Sequence, residues 1–387
     1  MWYFVSPQIA FGEGALMALD DLEGKHAFVV TDPTLVQLGL VGKVTEHLEK
    51  AGLAITLFTQ VEPDPSVETV QIGAALALES EPDWIVGVGG GSCLDAAKAI
   101  WILYERPDMH PAEINPMVTL GLRRKAGLIT VPTTSGTGAE VTWAIVLTDT
   151  EAQQKLSLGN REAVADIAIV DPEMAMDMPP LLTADTGLDA LTHAIEGYTC
   201  AWHTDMTDGI CLQAIQLIVE YLPRAYADGQ DAVARERMHN AATLAGLGFG
   251  NAMACMAHAA GHALGALFHI PHGRAVGLML PYTIEFIAAE APERYAMLAR
   301  TLGCEAQDDR EAARWLAQYL RDFSRSLGQP TSLAELGVEP DAYRESLETL
   351  VDHAFNDASM MTAARPPSYE ELEALLEAAY EGTSVGF

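Results

Sequence analysis

Basic residues are the scarcest charged class in this chain. It carries 22 Lys and Arg, only 6 of them Lys, against 54 Asp and Glu, a formal net charge of −32 over 387 residues. Such a polyanion repels phosphate backbones and anionic bilayers, which argues against nucleic acid or a membrane surface as partner. Cysteine is sparse too. Cys93, Cys200, Cys211, Cys255 and Cys304 form no CxxC pair and are odd in number, which fits reduced thiols better than a disulfide framework. No apolar run reaches the ~20 residues of a membrane span, and the N-terminal segment lacks the basic n-region of a secretory signal. A cytoplasmic enzyme is the expectation. With 49% hydrophobic residues and no long polar tract, the chain is globular, and the acid excess reads as a solvated shell, with adaptation to high salt as the sharper alternative.

Up to about residue 178, short apolar runs alternate with helical patterns. Strands are expected at 26–32, 54–60, 83–90, 126–134, 144–149 and 167–172; several are Val/Ile-rich without alternation, as in strands buried on both faces of a parallel sheet. The intervening 40–52 and 67–79 place apolar residues at helical spacing. After Pro179-Pro180 the composition shifts to Ala, Leu, Met and Glu, and every periodic segment reads as helix. The expected division is an α/β domain over 1–178 and an all-α domain over 179–387.

Three loops in the first half could serve a nucleotide. Gly89, Gly90 and Gly91 follow a strand and open an Ala-rich helix, where backbone N–H groups can approach a phosphate; a simple tight turn is the plain alternative. Ser92 and Asp95 have capping-box-like spacing, and both count among the candidate cofactor-binding residues. Asp32 ends the first long strand, placed to accept hydrogen bonds from both adenosine ribose hydroxyls and to repel a 2′-phosphate, or else it is an ordinary turn residue. The arrangement is not the GxGxxG fingerprint, whose acid follows the glycines. Thr133 and Thr134, in TVPTTSGTGAE (130–140), can line a nucleotide or form a plain loop.

In the second half, His258 and His262 sit one helical turn apart on one face, as do Asp189 and His193, and His272 follows Pro271, where a helix should break. Buried carboxylates and imidazoles need partners, and a divalent cation supplies one. Mixed carboxylate and imidazole donors suit Fe2+ or Zn2+, and an open position would provide a Lewis acid.

GGGSxxDxAK (89–98), PTTSGTGAE (132–140), TGLDALTHAIE (186–196) and the spacing of His258, His262 and His272 together resemble the iron-containing (group III) alcohol dehydrogenases. The resemblance implies a dehydroquinate-synthase-like fold, in which the first domain binds a dinucleotide and the second is the metal-binding, catalytic one, with metal ligands at Asp189, His193, His258 and His272. It makes His262 a non-ligand histidine beside nicotinamide and metal, the candidate catalytic proton relay. It places cofactor contacts at Asp32, the glycine loop, Ser92, Thr133, Thr134 and Lys155, and favours NAD(H) over NADP(H) through Asp32. Matching substrate-pocket positions fall on Ala144, Val146 and Phe249, an apolar lining suited to a small primary alcohol, diol or aldehyde. Relatives of this family often form homodimers or larger assemblies. The chain departs from the family at Ala363-Ala364-Arg365, where many relatives have Asn-Pro-Arg, and at Asp64, where Asn is frequent. Alternatives are a hydroxyacid dehydrogenase or transhydrogenase of the same family, a dehydroquinate-synthase-like lyase, which would need more basic residues around its substrate, and a non-catalytic nucleotide- and metal-binding protein.

Overall fold

A computed structural model describes residues 3–150 and 154–386. The chain divides into two compact units, Met1–Met178 and Pro179–Phe387.

The first unit contains strands β1 (Gln8–Phe11), β2 (His26–Val30), β3 (Ala54–Phe58), β4 (Trp84–Gly89), β5 (Gly127–Pro132), β6 (Ala144–Asp149), β7 (Gln154–Gly159) and β8 (Ile167–Val170). Its helices are α1 (Pro33–Gln37), α2 (Leu40–Lys50), α3 (Val67–Ser80) and α4 (Gly91–Glu105). Six strands form a sheet in the order β1-β8-β5-β4-β2-β3, parallel throughout. The core strands are buried on both faces, and Phe28, Ile85, Val86, Leu128 and Ile129 meet Ile100 and Trp101 of α4 in one apolar cluster. Continuous apolar runs without alternation are what a sheet covered on both sides requires. From β2 the chain moves to the edge strand β3, then crosses to β4 and runs the opposite way to β5. The switch in direction therefore lies between β2 and β4, and ligands of open α/β sheets bind beyond the carboxyl ends of strands at such a point. Asp32 and the glycine loop both sit there.

The run at 144–149 forms a strand but does not join the parallel sheet. β6 pairs antiparallel with β7 as a separate two-stranded ribbon. A parallel return needs a crossover of a dozen or more residues, and the few residues between β6 and β7 permit only a hairpin. β7 and the edge strand β1 went unmarked in the sequence because QKLSLG is largely polar and QIAF is short.

The second unit contains α5 (Pro180–Thr199), α6 (Asp205–Ala227), α7 (Ala232–Asn251), α8 (Met256–Phe268), α9 (His272–Ala288), α10 (Glu293–Thr301), α11 (Asp309–Ser326), α12 (Pro340–Asn356) and α13 (Tyr369–Glu381). No strand occurs among its described residues. α5 begins on Pro180, which is suited to a first helical position. It is buried along nearly all of Thr183–Thr199 and packs against α6, α7 and α9. The polar residues it carries are therefore committed to the interior. α8 ends at His269, whose φ of 54° is left-handed. After Pro271 the chain turns directly into α9, with His272 as its first residue.

Candidate functional site

In the first unit the candidate nucleotide residues gather at the carboxyl ends of β2, β4 and β5. Gly89 has a φ of 151°, and a Cβ there would lie 2.5 Å from the Cys93 Cβ, so the turn into α4 demands glycine. The capping expectation for Ser92 is corrected. α4 already begins at Gly91, Gly90 is its N-cap, and no side chain caps it. Ser92 lies inside the first turn, where its hydroxyl accepts from the Asp64 N–H at 3.3 Å. The first N–H groups of α4 are thus unmet by any capping side chain, the condition that favours an anion. The Thr133 N–H donates to the Gly89 carbonyl at 3.0 Å, and a Cβ on Gly90 would meet the Thr134 side chain at 3.3 Å. The two loops therefore form one surface.

Asp32 serves as a turn residue that caps a helix. Its Oδ1 caps α1, accepting from the N–H groups of Thr34 at 2.7 Å and Leu35 at 3.0 Å. Its Oδ2 lies 3.5 Å from the Cys93 thiol, so it faces the helix that follows the glycine loop. Asp95 is turned inward. Its Oδ2 accepts from the Val146 N–H at 3.0 Å, and its Oδ1 is 3.4 Å from the Lys98 ammonium. Lys98 is fully buried and donates to the Ala144 carbonyl at 2.9 Å. Burial drives the lysine pKa down and the Asp95 pKa up, and the charge of each opposes the shift of the other. Together they fasten β6 to α4. Ala144 and Val146 share the less buried face of β6, alternating with buried Ile145 and Leu147. Lys155, on β7, is held by Asp64 at 2.7 Å, and Asp64 adopts a left-handed φ of 55°. The substitution of Asp for the more usual Asn thus gives the lysine an anionic partner.

In the second unit, the structure brings Asp189 and His193 of α5 together with His258 of α8 and His272 of α9. One donor atom from each lies within 4.8 Å of all the others. The Asp189 Oδ1 stands 3.7 Å from His193 Nδ1, 3.9 Å from His258 Nε2 and 3.4 Å from His272 Nε2. These separations are too long for hydrogen bonds yet close to those between donors that share a cation at about 2.0–2.2 Å. Asp189, His193 and His258 are buried, whereas the His272 side chain is 36% exposed and marks the accessible side. Asp189 Oδ1 and His258 Nε2 are both buried without a hydrogen-bond partner, a costly state that a divalent cation relieves. One carboxylate and three imidazoles fit Fe2+ or Zn2+. Without a cation, burial pushes the Asp189 carboxyl up to about 7, against the opposing influence of His258.

Three further groups complete this geometry, and none received a role from the sequence. Glu196, one turn beyond His193 on α5, meets His258 Nδ1 at 2.5 Å. Asp357 meets His262 Nδ1 at 2.8 Å. Burial alone would raise the Asp357 carboxyl, but the His262 hydrogen bond and charge, with Ser359, hold it at about 2. Gly273 lets α9 approach α5, since a Cβ there would overlap the Asp185 carbonyl and meet the Asp189 Cβ at 3.0 Å. A signal for Glu196 existed: it shares the helical face of Asp189 and His193 at offsets of four and seven. Asp357 had none, being far away in sequence. His262 lies outside the four-donor cluster, with its ring stacked 5.3 Å from that of His272. Phe249 of α7 stacks on His193 at 4.0 Å and 10°, walling one side of the cluster. His269, unassigned by sequence, closes α8 as its left-handed cap.

The first unit is a parallel α/β sheet and the second an all-helical unit bearing one Asp and three His donors, features shared with a known class of metal-dependent dehydrogenases. Residues 6–172 match the family profile "Iron-containing alcohol dehydrogenase" and residues 183–380 match "Fe-containing alcohol dehydrogenase family, C-terminal". The chain is 40% identical, over the full length of both, to the NADPH-dependent butanol dehydrogenase of Clostridium saccharobutylicum. Among solved structures it resembles a 1,3-propanediol oxidoreductase (TM-score 0.92, 33% identity, 98% of this chain and 100% of that one). It also resembles an alcohol dehydrogenase from Oenococcus oeni (TM-score 0.93, 31% identity, 98% and 100%). The protein belongs to the iron-containing alcohol dehydrogenase family and is an oxidoreductase acting on CH–OH groups. The family implies a nicotinamide cofactor and iron. No described helix is long and apolar enough to cross a membrane.

Proposed function

We propose that this enzyme interconverts small primary alcohols or diols and their aldehydes, with NAD(H) as the preferred cofactor and Asp189, His193, His258 and His272 as the ligands of Fe2+ or Zn2+. The observation that carries the reading is the pair of orphaned buried atoms, Asp189 Oδ1 and His258 Nε2, within the four-donor cluster. The bound cation would supply Lewis acidity to the substrate oxygen, and the nicotinamide would exchange hydride with the carbinol carbon. His262 is assigned the proton relay. With Nδ1 engaged by Asp357, its Nε2 is the nitrogen left to take or give a proton. Phe249, stacked on His193, shields that side of the donor cluster, and we assign it to the substrate lining; in the first unit, Ala144 and Val146 are the candidate substrate positions.

Gly89, Gly90, Gly91, Ser92, Thr133 and Thr134 are the proposed pyrophosphate and nicotinamide contacts, with Lys155 at the ribose. Asp95 serves them indirectly, by holding β6 to α4. The NAD preference rests on Asp32, whose Oδ2 is not used in capping α1. The Clostridium relative is named NADPH-dependent, so this point needs a direct test. Asp32→Gly suits it, because glycine in place of an acidic N-cap costs only a few tenths of a kcal/mol. The ratio of kcat/KM for NADH over NADPH should fall roughly tenfold or more; an unchanged ratio rejects the ribose role. A homodimer or larger assembly is also proposed, supported by exposed Tyr3, Phe4 and Phe11 on and before the edge strand β1; sedimentation equilibrium decides it. For the activity itself, the assay is NADH oxidation with short aldehydes before and after chelation. Oxidation that needs no metal in a fully stripped protein rejects the mechanism.

A further inference from the structure

We infer that Glu196 is a positioning residue that locks the His258 imidazole in its Nδ1–H tautomer, keeping Nε2 available as a lone-pair donor to the cation; the inference rests on the metal reading above and deepens it.

The Glu196 carboxylate reaches from α5 to the first turn of α8 and faces donors. Its Oε2 accepts from the Cys255 N–H at 2.8 Å and its Oε1 from the Ala257 N–H at 2.6 Å. Oε2 also contacts His258 Nδ1 at 2.5 Å. Two of these three partners are backbone N–H groups, which can only donate, so the carboxylate is fixed as an acceptor. The third partner then follows suit, and Nδ1 carries the proton. In the other tautomer a ring lone pair would face a carboxylate oxygen, while the Nε2 proton would have only Asp189 Oδ1 at 3.9 Å, beyond hydrogen-bond reach. That alternative loses at both ends of the ring.

The same carboxylate does a second job. The N-cap of α8, Cys255, supplies no capping side chain, and Glu196 meets two of the N–H groups at that helix end. Ring tautomer and helix placement are thus set by one group, at the turn where His258 must hold a fixed direction. A carboxylate on the distal nitrogen of a ligating histidine orients the ring and raises its basicity.

Because the helix-end contact alone would give Glu196 a merely structural role, the test reads the imidazole and the metal directly. In the full chain stripped by chelation, at a pH alkaline enough to leave the His258 ring neutral despite its carboxylate neighbours, long-range 15N–1H spectra of 15N-histidine-labelled protein should show His258 as Nδ1–H, with His258→Gln identifying its signals. Co2+ is the metal probe, titrated by calorimetry with thermal unfolding followed in parallel. Glu196→Gln must place an NH2 against a donor, and its Co2+ Kd should rise roughly 10- to 100-fold, while Glu196→Asp should recover part of the loss. A folded Glu196→Gln with wild-type Co2+ affinity overturns the inference, as does a wild-type His258 found as Nε2–H. If Glu196→Gln does not fold, the wild-type tautomer decides. A wild type that takes up no Co2+ overturns the metal reading itself, and this inference with it.

Discussion

Two histidines one turn apart on α8 have the same chemistry in solution and different neighbours here. His258 is buried against Glu196 and points its other nitrogen into the donor cluster, whereas His262 pairs with Asp357 and stays outside it. Burial lowers the tendency of His258 to protonate, but Glu196, Asp189 and Asp357 outweigh it and raise its pKa in the metal-free chain. The division of labour gives a clear expectation. His262→Ala should keep its metal, measured by elemental analysis, while kcat falls roughly 10²-fold, within the range for a general acid–base group. Asp357→Asn should lower kcat in the same direction by a smaller factor and also leave the metal in place. Loss of metal from either variant would mean that His262 is a ligand after all.

Elements matter because each donor is delivered by a particular one. The buried face of α5 carries Asp189, His193 and Glu196, the first turn of α8 delivers His258, and the corner between α8 and α9 delivers His272. That corner depends on two backbone features, the left-handed His269 and the close approach at Gly273. Gly273→Ala would drive a methyl into α5, and a shift of α9 large enough to relieve it displaces His272. Metal content should drop several-fold while far-UV circular dichroism is retained; full occupancy would show that α9 can yield. On α7, His239 is buried and held neutral, its pKa pulled by burial down to about 4 from 6.5. The unfolded chain binds this proton more readily, so the contribution of His239 is complete above pH 6.5 and disappears as pH falls toward about 4. Over that window the wild type should lose up to about 3 kcal/mol more than His239→Gln in denaturant titrations. Further along, Arg365 keeps a role although the family's Asn-Pro has become Ala363-Ala364. It donates to the Phe286 carbonyl at 2.8 Å and to Glu371 at 2.6 Å, joining α9 to α13.

Legibility in the sequence followed the range of the interactions. The parallel strands announced themselves through Val/Ile runs, and the two i, i+4 pairs with the helix break at Pro271 pointed to Asp189, His193, His258 and His272, because these signals lie within a few residues. β6 was misplaced in the parallel sheet because strand propensity carries no partner, and Ser92 as a cap because capping depends on which residue begins the helix. Asp357 reaches His262 across 95 residues, a contact that no local pattern encodes. Lys98 sat in plain sight in GGGSxxDxAK, but only the fold reveals that it is fully buried and bound to β6.

Across the whole molecule, 32 unbalanced negative charges repel one another in the compact state, and salt screens them. The midpoint of thermal unfolding should therefore rise on going from low salt to about 1 M KCl, by about 2–4 °C for each kcal/mol of repulsion removed; scanning calorimetry measures it, and a flat response would mean that the acids are already locally paired. Among the described residues there is no disulfide, all five cysteines being free, and the four donors come from two distant stretches, α5 and the segment from the start of α8 to the start of α9. A cation bound to Asp189, His193, His258 and His272 closes the long loop between them, so it acts as a reversible cross-link on the unfolded chain as well as a chemical centre. At a hundredfold excess over its dissociation constant it adds about 2.7 kcal/mol, making the helical unit's lifetime depend on metal supply.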